Sequence, residues 1–331
     1  MRPRALLSLG VAVAGAAIVA VGILLSDDSG DGTAVADGAW RSLRPAGLER
    51  TEVAAARIGR FVYVVGGFER RSGASTAAVE RYDIRRNRWR RLRSMPVALN
   101  HPAAVSYRGA VYVLGGYTGH GDLRGEVSSL YRYDPRHNTW SRRRSAPTKR
   151  AALAVGVIGG RLYAAGGANS TGALKTLEIY DFRRNRWTAG PPLSLAREHL
   201  AGAVDGGAFY VLAGRAAGQG NFNVVERYVP ARRRWEQLPP MGKPRGGFGA
   251  AVVRGRIVVV GGEEAAGTIS EVESFDPARR RWTRLPDLRT PRHGLGVVSF
   301  RDRVYAIEGG PTPGLDFSRT VEALDAFGPS R

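Results

Sequence analysis

One pattern recurs six times between Trp40 and Asp325, at a period close to 48 residues. An apolar run ends in a pair of small residues: VYVVGG (Val62–Gly67), VYVLGG (Val111–Gly116), LYAAGG (Leu162–Gly167), FYVLAG (Phe209–Gly214), IVVVGG (Ile257–Gly262) and VYAIEGG (Val304–Gly310). The first residue of each pair falls at 66, 115, 166, 213, 261 and 309, in steps of 49, 51, 47, 48 and 48. A Gly-containing loop follows, then a short segment such as VERYD (Val79–Asp83) or LEIYD (Leu177–Asp181). A turn rich in Arg, Asn and Pro then leads to a Trp, at 89, 140, 187, 235 and 282. Periods of this size belong to repeat architectures, in which each copy is one supersecondary unit that buries its apolar faces against its neighbours.

Each unit reads as four short strands. A small Gly/Ala/Val strand such as Gly249–Val253 comes first, and the run ending in the small pair comes second. Both are nearly all apolar, as strands buried on two faces should be. The third strand alternates, and the fourth opens on its Trp. Four-stranded sheets arranged radially make a β-propeller. The diglycine…Tyr-Asp…Trp pattern resembles the kelch family over Trp40 to about Asp325. That resemblance implies a propeller of the galactose oxidase/kelch type, a fold that hosts adaptors, sugar-modifying enzymes and oxidases alike.

The sixth unit lacks its Trp, since none follows Val321–Asp325, while Trp40 stands one repeat before Trp89. Trp40-Arg41-Ser42-Leu43 is therefore expected to supply the last outer strand. The predicted fold is all-β: a six-bladed kelch β-propeller over residues 40–331, closed by an N-terminal outer strand that leaves no open edge.

Ahead of it, Ala5 to Ser26 is uncharged and mostly apolar. As a helix this run would rise about 33 Å, enough for a ~30 Å hydrocarbon core. Arg2 and Arg4 precede it, and Asp27, Asp28 and Asp31 follow it. The positive-inside bias then predicts a cytoplasmic N-terminus (1–4), a transmembrane signal anchor (5–26), a flexible tether (27–39) and an extracytoplasmic propeller on a single-pass membrane protein. The alternative is a secreted protein cleaved after Ala34-Val35-Ala36.

The chain carries 50 Lys+Arg against 29 Asp+Glu, a net charge of +21, and nearly all of the positive charge is Arg. The densest arginines fall in turns between strands three and four: Arg85, Arg86 and Arg88; Arg183, Arg184 and Arg186; Arg232 to Arg234; Arg279 to Arg281. Such a face suits anionic lipid or wall polymer. The absence of Cys excludes disulfides, thiolate metal sites, cysteine nucleophiles and the Tyr–Cys crosslink of the copper-radical oxidases. No nucleic-acid partner, cofactor or metal is expected. A trio of His101, His199 and His293 would have to converge from three separate blades.

Candidate site residues lie where loops meet at one mouth of the channel. Phe68, Tyr117, Arg215 and Glu263 follow four of the small pairs, with Ala168 and Pro311 after two others. Blade-to-blade loops contribute Arg150, Arg197, Arg245 and Arg292, spaced 47, 48 and 47, with Asn100 and His101 near that place in the second unit, Glu198 and His199 beside Arg197, and His293 beside Arg292. In the resembled adaptors and epimerases, arginines at this loop position bind carboxylates in the pocket, and the resemblance implies the same for these four. The Glu series (Glu80, Glu178, Glu226, Glu273, Glu322) repeats in five of the units and reads as scaffold. The expected function is a non-catalytic binding module for a protein or an anionic glycan. The alternative is a carbohydrate-active enzyme of the epimerase or mutarotase kind, with Glu198 and His199 as its acid/base pair.

Overall fold

A computed structural model of the protein describes residues 39–327. The described chain is all-β, in six antiparallel four-stranded sheets plus two small hairpins and one small three-stranded sheet. The first sheet holds Ala54–Ile58, Phe61–Val65, Val79–Asp83 and Arg88–Arg91. The second holds Ala103–Tyr107, Ala110–Leu114, Leu130–Asp134 and Thr139–Arg143. The third and fourth repeat this order from Ala154–Ile158 to Arg186–Ala189 and from Ala201–Asp205 to Arg234–Leu238. The fifth runs from Gly249–Val253 to Arg281–Leu285. The sixth holds Gly296–Phe300, Arg303–Ile307, Val321–Asp325 and, outermost, Trp40–Ser42 from the other end of the chain, with Trp40 opposite Leu324.

The sheets lie face to face. Six apolar clusters form the core, each shared by two consecutive sheets, and one of them joins the sixth to the first through Tyr305, Ile307, Val62 and Val64. Burying one such side chain is worth roughly 1.5–3 kcal/mol. The first strands crowd together at the centre, which is why they are small: a Cβ on Gly249 would meet Val297 Cγ2 at 2.3 Å, and one on Gly202 would meet the Val155 carbonyl at 2.6 Å.

The Trp series ties sheet to sheet. Each indole N–H donates to a backbone carbonyl just beyond the preceding sheet: Trp89 to Arg44, Trp140 to Arg93, Trp187 to Arg144, Trp235 to Pro191, Trp282 to Pro239 and Trp40 to Pro286. Each ring of the first five also lies against the aromatic of strand three, as Trp89 does on Tyr82 at 5.0 Å.

The turns between strands three and four, with those between strands one and two, project from the end of each sheet opposite the small-pair loops. Arg85, Arg86, Arg88, Arg183, Arg184, Arg186, Arg232 to Arg234 and Arg279 to Arg281 are all exposed there. The expected cytoplasmic N-terminus, membrane anchor and tether lie outside the described residues, Ala39 excepted. Among the described residues no helix is long and apolar enough to cross a membrane.

Candidate functional site

Six connections lead from the last strand of one sheet to the first strand of the next, and they meet at the centre. In each, one residue has left-handed backbone: Glu52, His101, Ala152, His199, Gly247 and Gly294, with φ between 49° and 66°. Their backbones hydrogen-bond in a cycle. The N–H groups of His101, Ala152, His199, Gly247 and Gly294 donate to the carbonyls of Glu52, His101, Ala152, His199 and Gly247, and Val53 N–H returns to Gly294, all at 2.7–3.1 Å. Four of the six are not glycine. Left-handed backbone costs a side-chain-bearing residue roughly 1–3 kcal/mol, and such positions gather at functional sites.

The preceding residue in each connection forms an antiparallel bridge to the residue after a small pair: Thr51 with Phe68, Asn100 with Tyr117, Ala151 with Ala168, Glu198 with Arg215, Gly246 with Glu263 and His293 with Gly310. Two tiers of side chains thus face one centre. The third unit offers alanines in both tiers, at Ala151, Ala152 and Ala168. The others build a polar cluster.

In that cluster Glu52 Oε2 lies 3.1 Å from His101 Nε2, and His101 Nε2 lies 2.9 Å from His199 Nε2. His199 Nδ1 donates to the Glu198 carboxylate. Arg215 donates to Glu198 at 3.0 Å, to Glu263 at 2.6 Å and to His199 Nε2 at 3.1 Å. His293 Nδ1 faces Glu52 at 3.0 Å and Glu263 at 3.6 Å, completing a circuit of seven side chains. Phe68 and Tyr117 stand edge-on to His101, with ring centroids at 6.0 and 5.8 Å, and wall the cluster from buried positions. A cavity of ≈ 130 Å³ lies at this centre, lined by Glu52, His101, Ala152, His199, Gly247 and Gly294 among others.

Electrostatics divide the cluster into fixed charges and neutral imidazole. Burial alone would raise the Glu52 carboxyl, but the fields of His101, His293 and His199 and the His293 hydrogen bond outweigh it and hold Glu52 well below the carboxylate range. Burial likewise opposes ionisation of Glu198, where His199 and Arg215 prevail and lower it. Burial pushes His101 down to about 4, against the pull of Glu52. His293 moves upward, because its contacts with Glu52, Glu263 and the Thr312 carbonyl exceed the cost of burial.

The four arginines expected to grip a ligand are elsewhere. Arg150, Arg197, Arg245 and Arg292 are at most 1% exposed. They do bind carboxylates, but those of the chain itself: Glu178, Glu226, Glu273 and Glu322, at 2.5–2.9 Å. A fifth, Arg50, pairs with Glu80. The guanidinium groups also donate to carbonyls at or just before the small pairs, as Arg245 does to Gly261 at 2.9 Å. Their backbones show which residues correspond: the second small-pair N–H of each unit donates to the carbonyl of Arg50, Leu99, Arg150, Arg197, Arg245 or Arg292. Leu99, rather than Asn100 or His101, therefore occupies the arginine place in the second unit. These arginines are internal supports and present nothing to a pocket.

The sixth small pair also needs correcting. Left-handed φ marks the first member of each pair, at Gly66, Gly115, Gly166, Ala213, Gly261 and Glu308. The pair is Glu308-Gly309, and Gly310, not Pro311, is the residue that follows it.

Of the residues singled out from sequence, Asn100, His101, Glu198, His199, Arg215 and Glu263 come together, with Phe68 and Tyr117 beside them. Glu52 and the supporting Arg50 were missed as site residues, while His293, noted beside Arg292 and in the histidine trio, joins the cluster. A signal existed for Glu52: it stands two residues after Arg50, the offset of His199 from Arg197.

A family model described as the KLHDC2/KLHL20/DRC7 Kelch-repeats domain matches residues 52–242, and a Kelch motif model matches residues 244–289. The chain belongs to the kelch-repeat family. Among curated kelch-repeat proteins it is 35% identical over 228 residues to Kelch-like protein 34 of Homo sapiens, covering 68% of this chain and 27% of that one. It is 30% identical over 175 residues to Kelch-like protein 26 of Mus musculus, covering 53% of this chain and 21% of that one. The kelch-repeat chain thus spans about a quarter of the length of these relatives. The solved structure of YjhT superposes with a TM-score of 0.73 over 83% of this chain and 95% of that chain, at 16% identity, a likeness of fold.

Proposed function

We propose that this chain is a protein-binding kelch module, a six-bladed propeller closed by the Trp40 strand, which docks its partner on the face formed by the small-pair loops. One observation carries the reading. Among the described residues, the exposed large hydrophobic side chains are Leu123, 49% exposed, and Leu315, 50% exposed. Both stand on small-pair loops, in the second and sixth units, on either side of the first. Between them the first loop links its neighbours, with Ser75 donating to the Gly119 carbonyl and Arg70 donating to Asp316 and the Phe317 carbonyl. Exposed leucine beside charged and aromatic groups is the composition of an interface core with its polar rim. Kelch-like relatives at 30–35% identity support a binding role over a catalytic one.

We further propose that residues 5–26 anchor the module in a membrane with the propeller extracytoplasmic. The support is the length of the apolar run and the sign of its flanks. On that reading the arginine turns are available to anionic lipid or wall polymer.

Crosslinking mass spectrometry on cells producing the wild-type chain or Leu123→Glu/Leu315→Glu tests the docking face. A protein crosslinked only by the wild type, and bound directly by it once purified, supports the assignment. Equal binding by both chains overturns it.

The second reading, a carbohydrate-active enzyme, draws on the partly buried Glu198–His199–Arg215 contacts, which could hold and move a proton at His199. Turnover of a sugar anomer lost in Glu198→Gln would favour it.

A further inference from the structure

The wiring of the two central histidines leaves a question of charge balance. Asn100 Nδ2 donates to Ser75 Oγ at 2.8 Å and to the Tyr117 carbonyl at 3.4 Å, which turns Asn100 Oδ1 toward His101 Nδ1 at 2.6 Å. His199 Nδ1 is held in the same way by the Glu198 carboxylate. Both Nδ1 atoms therefore carry the hydrogen, and both Nε2 atoms present lone pairs. These lone pairs face each other at 2.9 Å, and the Glu52 carboxylate, a third acceptor, stands 3.1 Å from His101 Nε2. Three acceptors converge on one buried point, where Arg215 meets the His199 lone pair alone, and the arrangement repels itself unless a proton or a metal cation also sits beside His101 and Glu52.

We propose that Glu52, His101 and His199 bind one divalent first-row transition-metal ion, in opposition to the expectation from sequence that the chain holds none. Their donor atoms all lie within 4.8 Å of one another. Two donors at right angles on such an ion, with bonds of about 2.0–2.2 Å, stand about 3 Å apart, as His101 does from Glu52 and from His199. Two imidazoles and one carboxylate suit zinc or iron(II) rather than magnesium or calcium, which take oxygen donors. Asn100 and Glu198 supply what ligating histidines need behind them, an acceptor on the other ring nitrogen. All three donors ride on the left-handed residues of the backbone cycle, so their spacing is set by main-chain hydrogen bonds rather than by mobile loops. Ala152, Gly247 and Gly294 complete that cycle without side chains that reach inward, and the ≈ 130 Å³ cavity leaves coordination positions open.

Arg215 is the donor that now reaches His199 Nε2. Its other two contacts, with Glu198 and Glu263, allow it to release His199 and remain paired. It would then stand beside the ion, where an anionic ligand such as a carboxylate would bridge metal and guanidinium. The site is independent of the docking reading, and its failure leaves that reading intact.

The test uses the full chain, stripped with chelator and titrated with ZnCl2 by calorimetry and with CoCl2 by visible absorption. The expected result is one saturable equivalent with ligand-field bands of mixed nitrogen and oxygen coordination. His101→Ala and His199→Ala should abolish it, and Glu198→Gln should weaken it about 10–100-fold, the usual effect of removing a partner behind a ligand. His120→Ala, an exposed loop histidine, should bind as the wild type does. Should an alanine variant fail to fold by circular dichroism, His101→Gln or His199→Gln takes its place, since glutamine fills the site without an imidazole. The proposal is overturned if the wild type binds no equivalent, or if the histidine variants bind as it does.

Discussion

Leu99 and Tyr131 hold, in the second unit, the two places that an arginine and a glutamate hold in each of the other five. Tyr131 lies opposite Val113 in the register that sets Glu80 opposite Val64 and Glu226 opposite Val211. The Leu99 carbonyl accepts the same small-pair N–H that the arginine carbonyls accept elsewhere. Arginine and glutamate are present together or replaced together. A side chain serving a ligand has no reason to vanish with its internal partner, whereas a buried ion pair must.

The first prediction follows from that pairing. Arg197→Ala should strand the buried Glu226 and cost about 3–5 kcal/mol, read from urea denaturation. The double change Arg197→Leu/Glu226→Tyr copies the second sheet and should cost less than the single one. Were the double variant the less stable of the two, the interchange would not be local.

Glu308 makes stability depend on pH. Burial, opposed by Arg50, pushes its carboxyl up to about 7, and its Oε2 finds no hydrogen-bond partner among the described residues. An unfolded glutamate releases its proton near pH ~4.3, so between about pH 4 and 7 the folded chain binds more protons than the unfolded one. Its contribution is full at the acid end of that window and is lost as pH rises through it. Glu308→Gln imitates the protonated form. Thermal melts should place the variant above the wild type at pH 8 and close to it at pH 4.5, and a constant gap would refute the titration.

Trp40 is only 4% exposed and its indole donates to the Pro286 carbonyl, so the N-terminal strand is structural. A chain beginning at residue 45 should melt below one beginning at residue 37. Trp40→Ala alone should cost about 3–5 kcal/mol, the range for emptying a buried aromatic site. Equal melting of the two truncations would remove the strand from the account of stability.

Membrane side can be read with a single thiol, since the chain has no Cys. Ser170 lies exposed on a small-pair loop. Ser170→Cys should react with a membrane-impermeant maleimide in intact cells. Labelling only after lysis would reverse the proposed topology.

The repeat was legible because its signals are local and recur. Small pairs, Tyr-Asp segments and Trp each mark one turn or one packed face, and six copies average out the noise of any single one. The polar centre was half legible. Asn100, His101, Glu198, His199, Arg215 and Glu263 were found because they depart from the repeat at positions where loops converge. The arginine series failed for the same reason in reverse. It does repeat, and nothing in its spacing distinguishes a side chain turned toward the axis from one folded back on a strand-three glutamate. Arg50 would have given the missing clue, because its place is filled by Leu99 one repeat later. Glu308 hid in an apparent diglycine one residue out of register, and its left-handed backbone and the Gly309 N–H bond to the Arg50 carbonyl reveal the alignment.

The cycle of main-chain hydrogen bonds at the centre uses no side-chain atoms, which makes its six positions sockets in a turret. What fills a socket is free to change while the turret stands. Glutamate and two histidines occupy three of them, and alanine and two glycines leave three blank. Chemistry can be installed or erased there one residue at a time without disturbing the sheets behind. The same economy bounds the cost, since every filled socket keeps a side chain on backbone that glycine would adopt more cheaply.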